Sequence, residues 1–328
     1  MLEAQTQMAS SPGQTLNGQE VRRIPRFQLD KITKIATWNV RTLFAAGRLD
    51  NLIQEMDRMK IEILGVCEVR WPGSGMVKSG GKVFYYSGDN ANRNQHGVGI
   101  LMNKNLQKSM KCFVPISERV ALVQILGKPL NINIIQVYAP TADKPEQEVE
   151  DFYKQIDTAL KLTRTNEINI ILGDFNAKVG RGRTGSVVGD WGLGERNNRG
   201  EGLVQYCEEN NLMIANTWFK LPARRLYTWK SPQDNNYHVV RNQIDYIIIN
   251  RRFRNYITKI STMPGADIAS DHNSVCANIV LRLAKPKRKS LRKTFDLQKL
   301  KVEKTRLSYE DHLNKELENV VNTNDTDR

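Results

Sequence analysis

The run INIILGDFN joins a strand-like apolar stretch to two polar residues at its end, Asp174 and Asn176. Packing gives a buried strand no reason to end on a carboxylate, because a charge in an apolar layer is costly unless it is paired. Side chains alternate along a strand, so residues two positions apart point to the same side. We therefore expect Asp174 and Asn176 to face one solvent pocket together.

Other apolar runs end on polar residues in the same way. In chain order these residues are Asn39, Glu68, Tyr138, Asp245, Asp271 and His272. Taken singly, each has an ordinary structural explanation, such as an Asp-led turn, a helix cap or a solvated strand end. Taken together, carboxylates, amides, a tyrosine and one histidine are the groups that metal-assisted hydrolysis of a phosphodiester requires.

The elements that must position these residues are short β-rich runs separated by Gly, Asn and Pro, about eleven of them from residue 34 onward. Two segments show helical periodicity instead, GRLDNLIQEMDRMK and PEQEVEDFYKQIDTALKL. Near-continuous apolar strands need both faces buried. The sequence therefore predicts an α/β fold in which sheets pack face to face and helices cover them outside.

Charge and composition narrow the function classes. The chain has 49 Lys and Arg against 35 Asp and Glu, a formal charge of +14, which favours polyanionic partners. No stretch approaches the roughly 20 apolar residues of a membrane span, and the first residues lack a signal-peptide core. We expect a soluble, non-secreted protein with no membrane partner. The four cysteines are interpreted as reduced core thiols rather than as metal ligands or disulfides.

The order of the motifs resembles a known family. The segments WN, VYAP, GDFN, QIDYI and SDH, with Glu68 between the first two, are similar to the endonuclease/exonuclease/phosphatase superfamily over roughly residues 34–283. Within it, CEVRWPGSG, GVGILMNK and GDFNAKVG resemble the apurinic-like endonuclease domain of RTE-type non-LTR retrotransposons. The resemblance implies a DNase I-like fold, a four-layer α/β sandwich with two mixed β-sheets face to face and helices outside.

The resemblance also implies a metal site. Glu68 is expected to hold Mg²⁺, with Asn39 nearby and Asp271 assisting the metal or the leaving oxygen. Hard oxygen ligands suit this ion. Mn²⁺ is the alternative cofactor.

The catalytic residues implied by the resemblance are Asp174, Asn176, His272, Asp245, Tyr138 and Asn39. Asp174 would orient or deprotonate the attacking water, and Asn176 would hold a phosphate oxygen. His272, oriented by Asp245, would stabilise the pentacovalent phosphate. Tyr138 would contact the phosphate or steady the leaving group.

The chain is predicted to have three parts. Residues 1–30, rich in Gln, Ser, Gly and Asn, are expected to be a disordered arm. Residues 31–284 would form the endonuclease/exonuclease/phosphatase domain, and residues 285–328 a basic linker with an amphipathic helical tail. The basic run in AKPKRKSLRK is either a nuclear-localisation or nucleic-acid patch or a plain solvated linker. We expect a nuclear location, with the cytoplasm as the alternative.

Family membership leaves the substrate open, because one fold hosts many functions. The charge of +14 favours DNA, since a duplex offers many phosphates. The expected contact residues are Arg181, Arg183, Arg196, Arg199, Arg224, Arg225, Thr228 and Trp229. Their alternative roles are solubilising surface charge and, for Trp229, a core position.

The leading functional prediction is a Mg²⁺-dependent DNA endonuclease of the retrotransposon type that leaves a 3′-hydroxyl and a 5′-phosphate. A second prediction is an apurinic-site repair nuclease or a phosphatase of the same superfamily. A third is a DNA- or chromatin-binding module without catalysis. We expect a monomer that binds DNA, and the sequence does not identify a partner for the tail.

Overall fold

The computed structural model describes residues 25–28, 32–89, 94–235, 237–266, 268–280, 299 and 301–324. The chain divides into two compact units, Met1–Arg282 and Leu283–Arg328. Most of the predicted arm and the whole basic run of residues 284–293 lie outside the described residues. Within the predicted arm, Phe27–Gln28 form a short strand, because they pair with Gly127–Lys128.

The strands and helices have the following bounds in chain order. The strands are β1 Phe27–Gln28, β2 Thr33–Asn39, β3 Ile63–Cys67, β4 Ser74–Ser79, β5 Lys82–Ser87, β6 Val98–Asn103, β7 Met110–Pro115, β8 Val120–Ile125, β9 Gly127–Lys128, β10 Ile132–Tyr138, β11 Ile168–Asp174, β12 Leu212–Ile214, β13 Trp229–Lys230, β14 Arg241–Asn242, β15 Asp245–Asn250, β16 Ile257–Met263 and β17 Ser274–Ile279. The helices are α1 Arg48–Arg58, α2 Lys104–Gln107, α3 Glu146–Lys161, α4 Asn198–Glu209 and α5 Glu303–Asn324.

Two mixed sheets form the centre of the first unit. The larger has seven strands in the order β16-β17-β2-β3-β6-β5-β4, and the smaller has six in the order β12-β15-β11-β10-β8-β7. Each contains one parallel pair, β2 with β3 and β10 with β11, while the other neighbours are antiparallel. The β-branched residues that fill these strands suit a pleated surface buried on both faces.

The sheets pack face to face, and helices cover their outer faces. One core cluster joins Ile35 and Ile63 of the larger sheet to Ile170 of the smaller. A second cluster packs α3 and α4 against the outer face of the smaller sheet, and a third packs α1 against the larger. These four layers confirm the predicted α/β sandwich.

One close approach between the sheets depends on a glycine. A Cβ built on Gly65 of β3 would lie 1.7 Å from Gln136 Oε1 and 2.3 Å from Leu172 Cδ1. Gln136 is fully buried, and its Nε2 donates to Cys67 Sγ at 3.0 Å. The absent side chain at Gly65 therefore makes room for a polar contact between the sheets.

The remaining sequence predictions have mixed outcomes. The two helical segments appear as α1 and α3, whose apolar residues are buried as the periodicity predicts. All four cysteines are free, although Cys112 is only partly buried. No helix in the described part of the chain is long and apolar enough to cross a membrane. In the second unit, α5 is a single helix with Leu307, Leu313 and Leu317 exposed.

Candidate active site

The strand ends gather polar side chains at one end of the sandwich. Asn39 closes β2, Tyr138 closes β10, Asp174 closes β11 and Asp245 opens β15. The register places Tyr138 beside Asp174 and Asp174 beside Asp245. Glu68 follows β3 directly. The structure thus brings together residues that lie far apart in the sequence and belong to two different sheets.

Asn39 joins the two sheets at this point. Its Nδ2 donates to Glu68 Oε1 at 2.9 Å and to Asp174 Oδ2 at 3.0 Å, and its Oδ1 accepts from the Arg41 backbone N–H at 3.0 Å. The side chain is buried. Asn39 therefore acts through its donors on two carboxylates, and its amide oxygen is already committed to the backbone.

His272 and Asp245 form a buried dyad. His272 Nδ1 lies 2.9 Å from Asp245 Oδ2, and the backbone oxygen of His272 accepts from Trp38 Nε1 at 2.9 Å. Burial opposes protonation of the imidazole, but the Asp245 carboxylate outweighs it and raises the pKa of His272 to about 9. His272 is therefore an imidazolium at neutral pH.

Asp174 lies against this dyad. Its Oδ2 is 3.8 Å from His272 Nε2, and its Oδ1 accepts from the Asn176 backbone N–H at 3.0 Å. Burial and the nearby Asp245 carboxylate raise the pKa of Asp174 to about 7, against the opposing effects of His272 and the Asn39 hydrogen bond. A carboxylate with this pKa can take up a proton at neutral pH.

Tyr138 also contacts Glu68. Its hydroxyl donates to Glu68 Oε1 at 3.2 Å, and the guanidinium carbon of Arg119 lies 5.6 Å from the ring centroid. Burial, together with the Glu68 and Asp174 carboxylates, raises the pKa of Tyr138 well above its usual range. The phenol therefore remains a hydrogen-bond donor.

Two arginines that the sequence interpretation did not include also reach the site. Arg70 Nη2 lies 2.7 Å from Glu68 Oε2, and Arg41 Nε lies 3.7 Å from Asp271 Oδ1. The repeated pattern of a polar residue, valine and arginine, in NVR and EVR after adjacent parallel strands, is the signal that points to them.

Positive φ angles concentrate around the site. Four of the seven described non-glycine residues with positive φ belong to it: Arg41 at 61°, Glu68 at 55°, Arg70 at 60° and Asn176 at 46°. Such residues persist only where surrounding contacts hold them, and they are frequent at functional sites. The left-handed turns after β2, β3 and β11 thus accompany the residues that carry charge or amide groups.

The donor set fits a divalent cation. Glu68 and Asp271 retain partial solvent exposure, at 13% and 23% of their side chains, and Asp271 Oδ1 has no hydrogen-bond partner among the described residues. Mg²⁺ is commonly held by one or two carboxylates and keeps several waters. This arrangement suits a metal at Glu68 with Asp271 assisting.

A second set of potential ligands is Asp174, Asp245 and His272, whose ligand atoms lie within 4.8 Å of one another. A protonated imidazole cannot bind a metal, because both of its nitrogens carry hydrogens. The Asp245 hydrogen bond and the raised pKa of His272 therefore favour proton transfer and charge stabilisation for this set.

Several predicted nucleic-acid contacts have internal partners. Arg196 Nη2 donates to Thr184 Oγ1 at 2.7 Å, Arg199 Nη2 to the Lys144 backbone oxygen at 2.7 Å, and Arg225 Nη1 to the Thr262 backbone oxygen at 3.0 Å. These three side chains are only partly exposed and support loops. Arg181, Arg183 and Arg224 are exposed, although the guanidinium carbon of Arg183 also lies 5.2 Å from the Trp218 ring centroid.

The prediction for Thr228 disagrees with the structure. Thr228 is fully buried, and its hydroxyl accepts from the Ile244 and Asp245 backbone N–H groups at 2.9 and 3.0 Å. It supports the start of β15 and cannot offer its side chain to DNA. Trp229 is partly buried, and its Nε1 donates to Asp271 Oδ2 at 3.0 Å. Trp229 therefore positions a site carboxylate.

Comparisons with known proteins show which family this sequence matches. Residues 36–272 match the Endonuclease/Exonuclease/phosphatase family. The chain is 41% identical over 249 residues to proteins named craniofacial development protein 2 from Tragulus javanicus and Bos taurus. The match covers 76% of this chain but 42% and 41% of those proteins, so the chain spans about two fifths of the length of these curated relatives.

Solved structures share the fold at low sequence identity. The endonuclease domain of TRAS1, a telomere-specific non-LTR retrotransposon, is 17% identical with a TM-score of 0.54, over 76% of this chain and 100% of that one. The AP endonuclease LMAP from Leishmania major is 15% identical with a TM-score of 0.58, over 76% and 88%. At these identities the comparison supports the architecture and leaves the substrate open.

Proposed function

The chain belongs to the endonuclease/exonuclease/phosphatase family, and on this premise we propose that it is a Mg²⁺-dependent DNA endonuclease. The observation that carries the proposal is the contact of Asn39 with both Glu68 and Asp174, beside the His272–Asp245 dyad. The formal charge of +14 supports a polyanionic substrate.

In the proposed reaction, Asp174 positions a water molecule and accepts its proton as the water oxygen forms a bond to phosphorus. The Asn39 Nδ2 and the Asn176 backbone N–H hold the Asp174 carboxylate in place. A general base is most effective when its pKa is near the working pH, and the pKa of Asp174 is raised to about 7. The bond from phosphorus to O3′ breaks in the same displacement.

His272 stabilises the charge that develops on the phosphate. Its Nε2 is directed toward Asp174 at 3.8 Å, and its Nδ1 is held by Asp245. A fixed imidazolium in a site shielded from water stabilises a pentacovalent phosphate more strongly than a solvated cation does. The Asn176 side chain is fixed through Nδ2 to the Ala139 backbone oxygen at 2.9 Å. We assign it to a phosphate oxygen.

Glu68 and Asp271 would hold the divalent ion in this proposal, and Mn²⁺ would be the alternative to Mg²⁺. When bound, the ion neutralises phosphate charge and stabilises the leaving oxygen. Asn39 and Tyr138 both donate to Glu68 Oε1 and so fix the orientation of this carboxylate. Trp229 does the same for Asp271 through Oδ2.

We further propose an RTE-type retrotransposon origin, with nicks that leave a 3′-hydroxyl and a 5′-phosphate. Exposed Arg181, Arg183 and Arg224 would contact the DNA backbone. We place the protein in the nucleus as a monomer, with catalysis in residues 31–284 and a basic linker and helical tail in residues 285–328.

The test is nicking of supercoiled plasmid by the purified full chain, with and without MgCl₂, followed by labelling of the new ends. The proposal expects metal-dependent nicks that a polymerase extends directly, since extension requires a 3′-hydroxyl. A strong preference for an abasic duplex would identify a repair nuclease instead. DNA binding without cleavage of plasmid, abasic duplex or RNA would support a binding module.

A further inference from the structure

Arg41 and Arg70 follow two neighbouring parallel strands, at the second residue after β2 and the third residue after β3. Asn39-Val40-Arg41 begins on the last residue of β2, and Glu68-Val69-Arg70 begins directly after β3. The two segments stay in contact beyond the sheet, because Val40 N donates to the Cys67 backbone oxygen at 3.2 Å and Leu43 N to that of Val69 at 3.1 Å. The two arginines are therefore presented by one rigid framework.

Each arginine faces the carboxylate oxygen that the fold leaves without another donor among the described residues. Glu68 Oε1 is held by Asn39 and Tyr138, whereas its Oε2 contacts Arg70 Nη2 at 2.7 Å. Asp271 Oδ2 is held by Trp229, whereas its Oδ1 faces Arg41 Nε at 3.7 Å. In both residues, one carboxylate oxygen accepts from neutral donors and the other faces an arginine.

The two arginine side chains are more exposed to solvent than the carboxylates they contact. The Arg41 and Arg70 side chains are 57% and 40% exposed, against 13% for Glu68 and 23% for Asp271. A guanidinium presents five N–H donors in a planar fork that matches the oxygens of a phosphate. Arg70 uses Nη2 for Glu68, and its Nε is buried with no hydrogen-bond partner among the described residues.

The net charge of the site indicates why the two arginines would matter for binding a phosphate. With Glu68, Asp174, Asp245 and Asp271 ionised and His272 protonated, the site carries three net negative charges and repels a phosphodiester. A divalent cation neutralises two of them. Arg41 and Arg70 contact Asp271 and Glu68, and together with the metal they would make the site attractive to one phosphate group.

We propose that Arg41 and Arg70 form a phosphate clamp, and that Arg70 exchanges Glu68 Oε2 for a phosphate oxygen of the nucleic-acid backbone when a divalent ion is bound at Glu68. This inference rests on the proposed function and adds two substrate-binding residues to it. Arg70 is then a competitor of the metal at Glu68 and a partner of the phosphate.

The experiment compares Arg70→Gln and Arg41→Gln with the wild type and with Lys60→Gln. Lys60 is a matched control, because it is exposed, loses the same charge and has the same left-handed backbone, at φ 55°, beyond the end of α1. Mg²⁺ affinity is measured by calorimetry on the protein alone. Affinity for a short mixed-sequence duplex is measured in Ca²⁺ over a range of salt concentrations.

The clamp predicts opposite effects of Arg70→Gln on the two ligands. Mg²⁺ should bind about 10-fold more tightly, since a competing cation has gone. DNA should bind about 10-fold more weakly, with a salt dependence smaller by about one phosphate contact. Arg41→Gln should reduce DNA affinity and its salt dependence in the same way, with a smaller change for Mg²⁺. Lys60→Gln should match the wild type.

Weaker Mg²⁺ binding by Arg70→Gln would show that the arginine merely supports Glu68. An unchanged salt dependence of DNA binding would disprove the phosphate clamp. Both readouts are equilibrium measurements without turnover. A protein that cleaves no DNA but shows both changes would disprove the endonuclease and keep the clamp. A protein that cleaves DNA but shows neither change would disprove the clamp alone.

Discussion

His272 Nδ1 lies 2.9 Å from Asp245 Oδ2, although Asp245 opens β15 of the six-stranded sheet and His272 lies two residues before β17 of the seven-stranded sheet. The dyad therefore exists only when the two sheets are packed together. Trp38 of β2 fixes the same histidine through its backbone oxygen. The chemistry of the site depends on this packing as much as on the residues themselves.

Asp174→Asn should reduce the rate of DNA cleavage by at least about 10²-fold, because the amide keeps the shape of the carboxylate and cannot accept the proton. Single-turnover cleavage of a labelled duplex measures this effect. Asp151→Asn, at an exposed position of α3, serves as the control and should leave the rate unchanged. Equal rates for Asp174→Asn and the wild type would exclude Asp174 as the base.

The rate should depend on pH with two limbs. Below about 7 Asp174 becomes protonated and stops acting as a base, and above about 9 His272 loses its proton, so kcat/KM should fall on both sides. The profile is measured at saturating Mg²⁺. A rate that keeps rising through pH 10 would contradict the imidazolium role of His272.

Asp245→Asn should move both limbs to lower pH. The Asp245 carboxylate raises the pKa of His272 and also that of Asp174, so its removal lowers both values. The maximal rate should fall as well, because the histidine loses the partner that orients it. A pH profile of this variant beside the wild type tests the sign, and an alkaline limb that stays in place would disprove the coupling.

Trp229→Phe should lower the cleavage rate and leave DNA affinity unchanged. The phenylalanine retains an aromatic face for stacking but loses the N–H that donates to Asp271 Oδ2 at 3.0 Å. Cleavage rate and duplex affinity are measured on the same preparations. Weaker DNA binding at an unchanged rate would instead favour base stacking by Trp229. Trp71→Phe, which loses a hydrogen bond to the Leu43 backbone oxygen, is the matched control.

Gly65→Ala should destabilise the fold by about 3 kcal/mol, because a methyl group at this position overlaps Gln136 and Leu172 in a closely packed core. Gly202→Ala in α4 is the paired control, since no atom lies within 4 Å of its added Cβ. That substitution should stabilise the protein by about 0.5–1 kcal/mol. Urea unfolding of both variants measures the difference, and equal midpoints would contradict the close sheet contact.

The strand ends of the site were predictable from the sequence because polar residues end several apolar strands. Asp174 and Asn176 break an apolar strand, and polar residues break several others, which strand packing alone does not explain. The fold class follows from the same strands, since their apolar faces need cover on both sides. Local pattern and global packing agree at these positions.

Arg41 and Arg70 were missed because their role depends on backbone conformation. Arginine has no preference for positive φ, so nothing in its local sequence predicts the left-handed turns that present it. The burial of Thr228 was also not predictable from its local sequence. Its burial results from β15, and its hydroxyl serves backbone donors from residues 16 and 17 positions later.

Two of the longer strands also escaped the sequence pattern. β4, SGMVKS, alternates between partly and fully exposed residues at the edge of its sheet, and β7 is similarly exposed at the edge of the other. Edge strands bury little, so their apolar signal is weak. Arg196 and Arg199 of the Gly-rich loop make internal contacts that the sequence does not predict. Tertiary folding brings Thr184 and Lys144 within their reach.

β17 is the last strand in the described part of the chain, yet it lies inside its sheet, between β16 and β2. On the ribosome, β2 emerges early and waits for its neighbour until Ser274–Ile279 has been translated. His272 emerges only just before that strand. A nascent chain therefore carries Glu68 and Asp174 well before it can build the dyad, and the assembled site is reserved for molecules whose translation has passed β17.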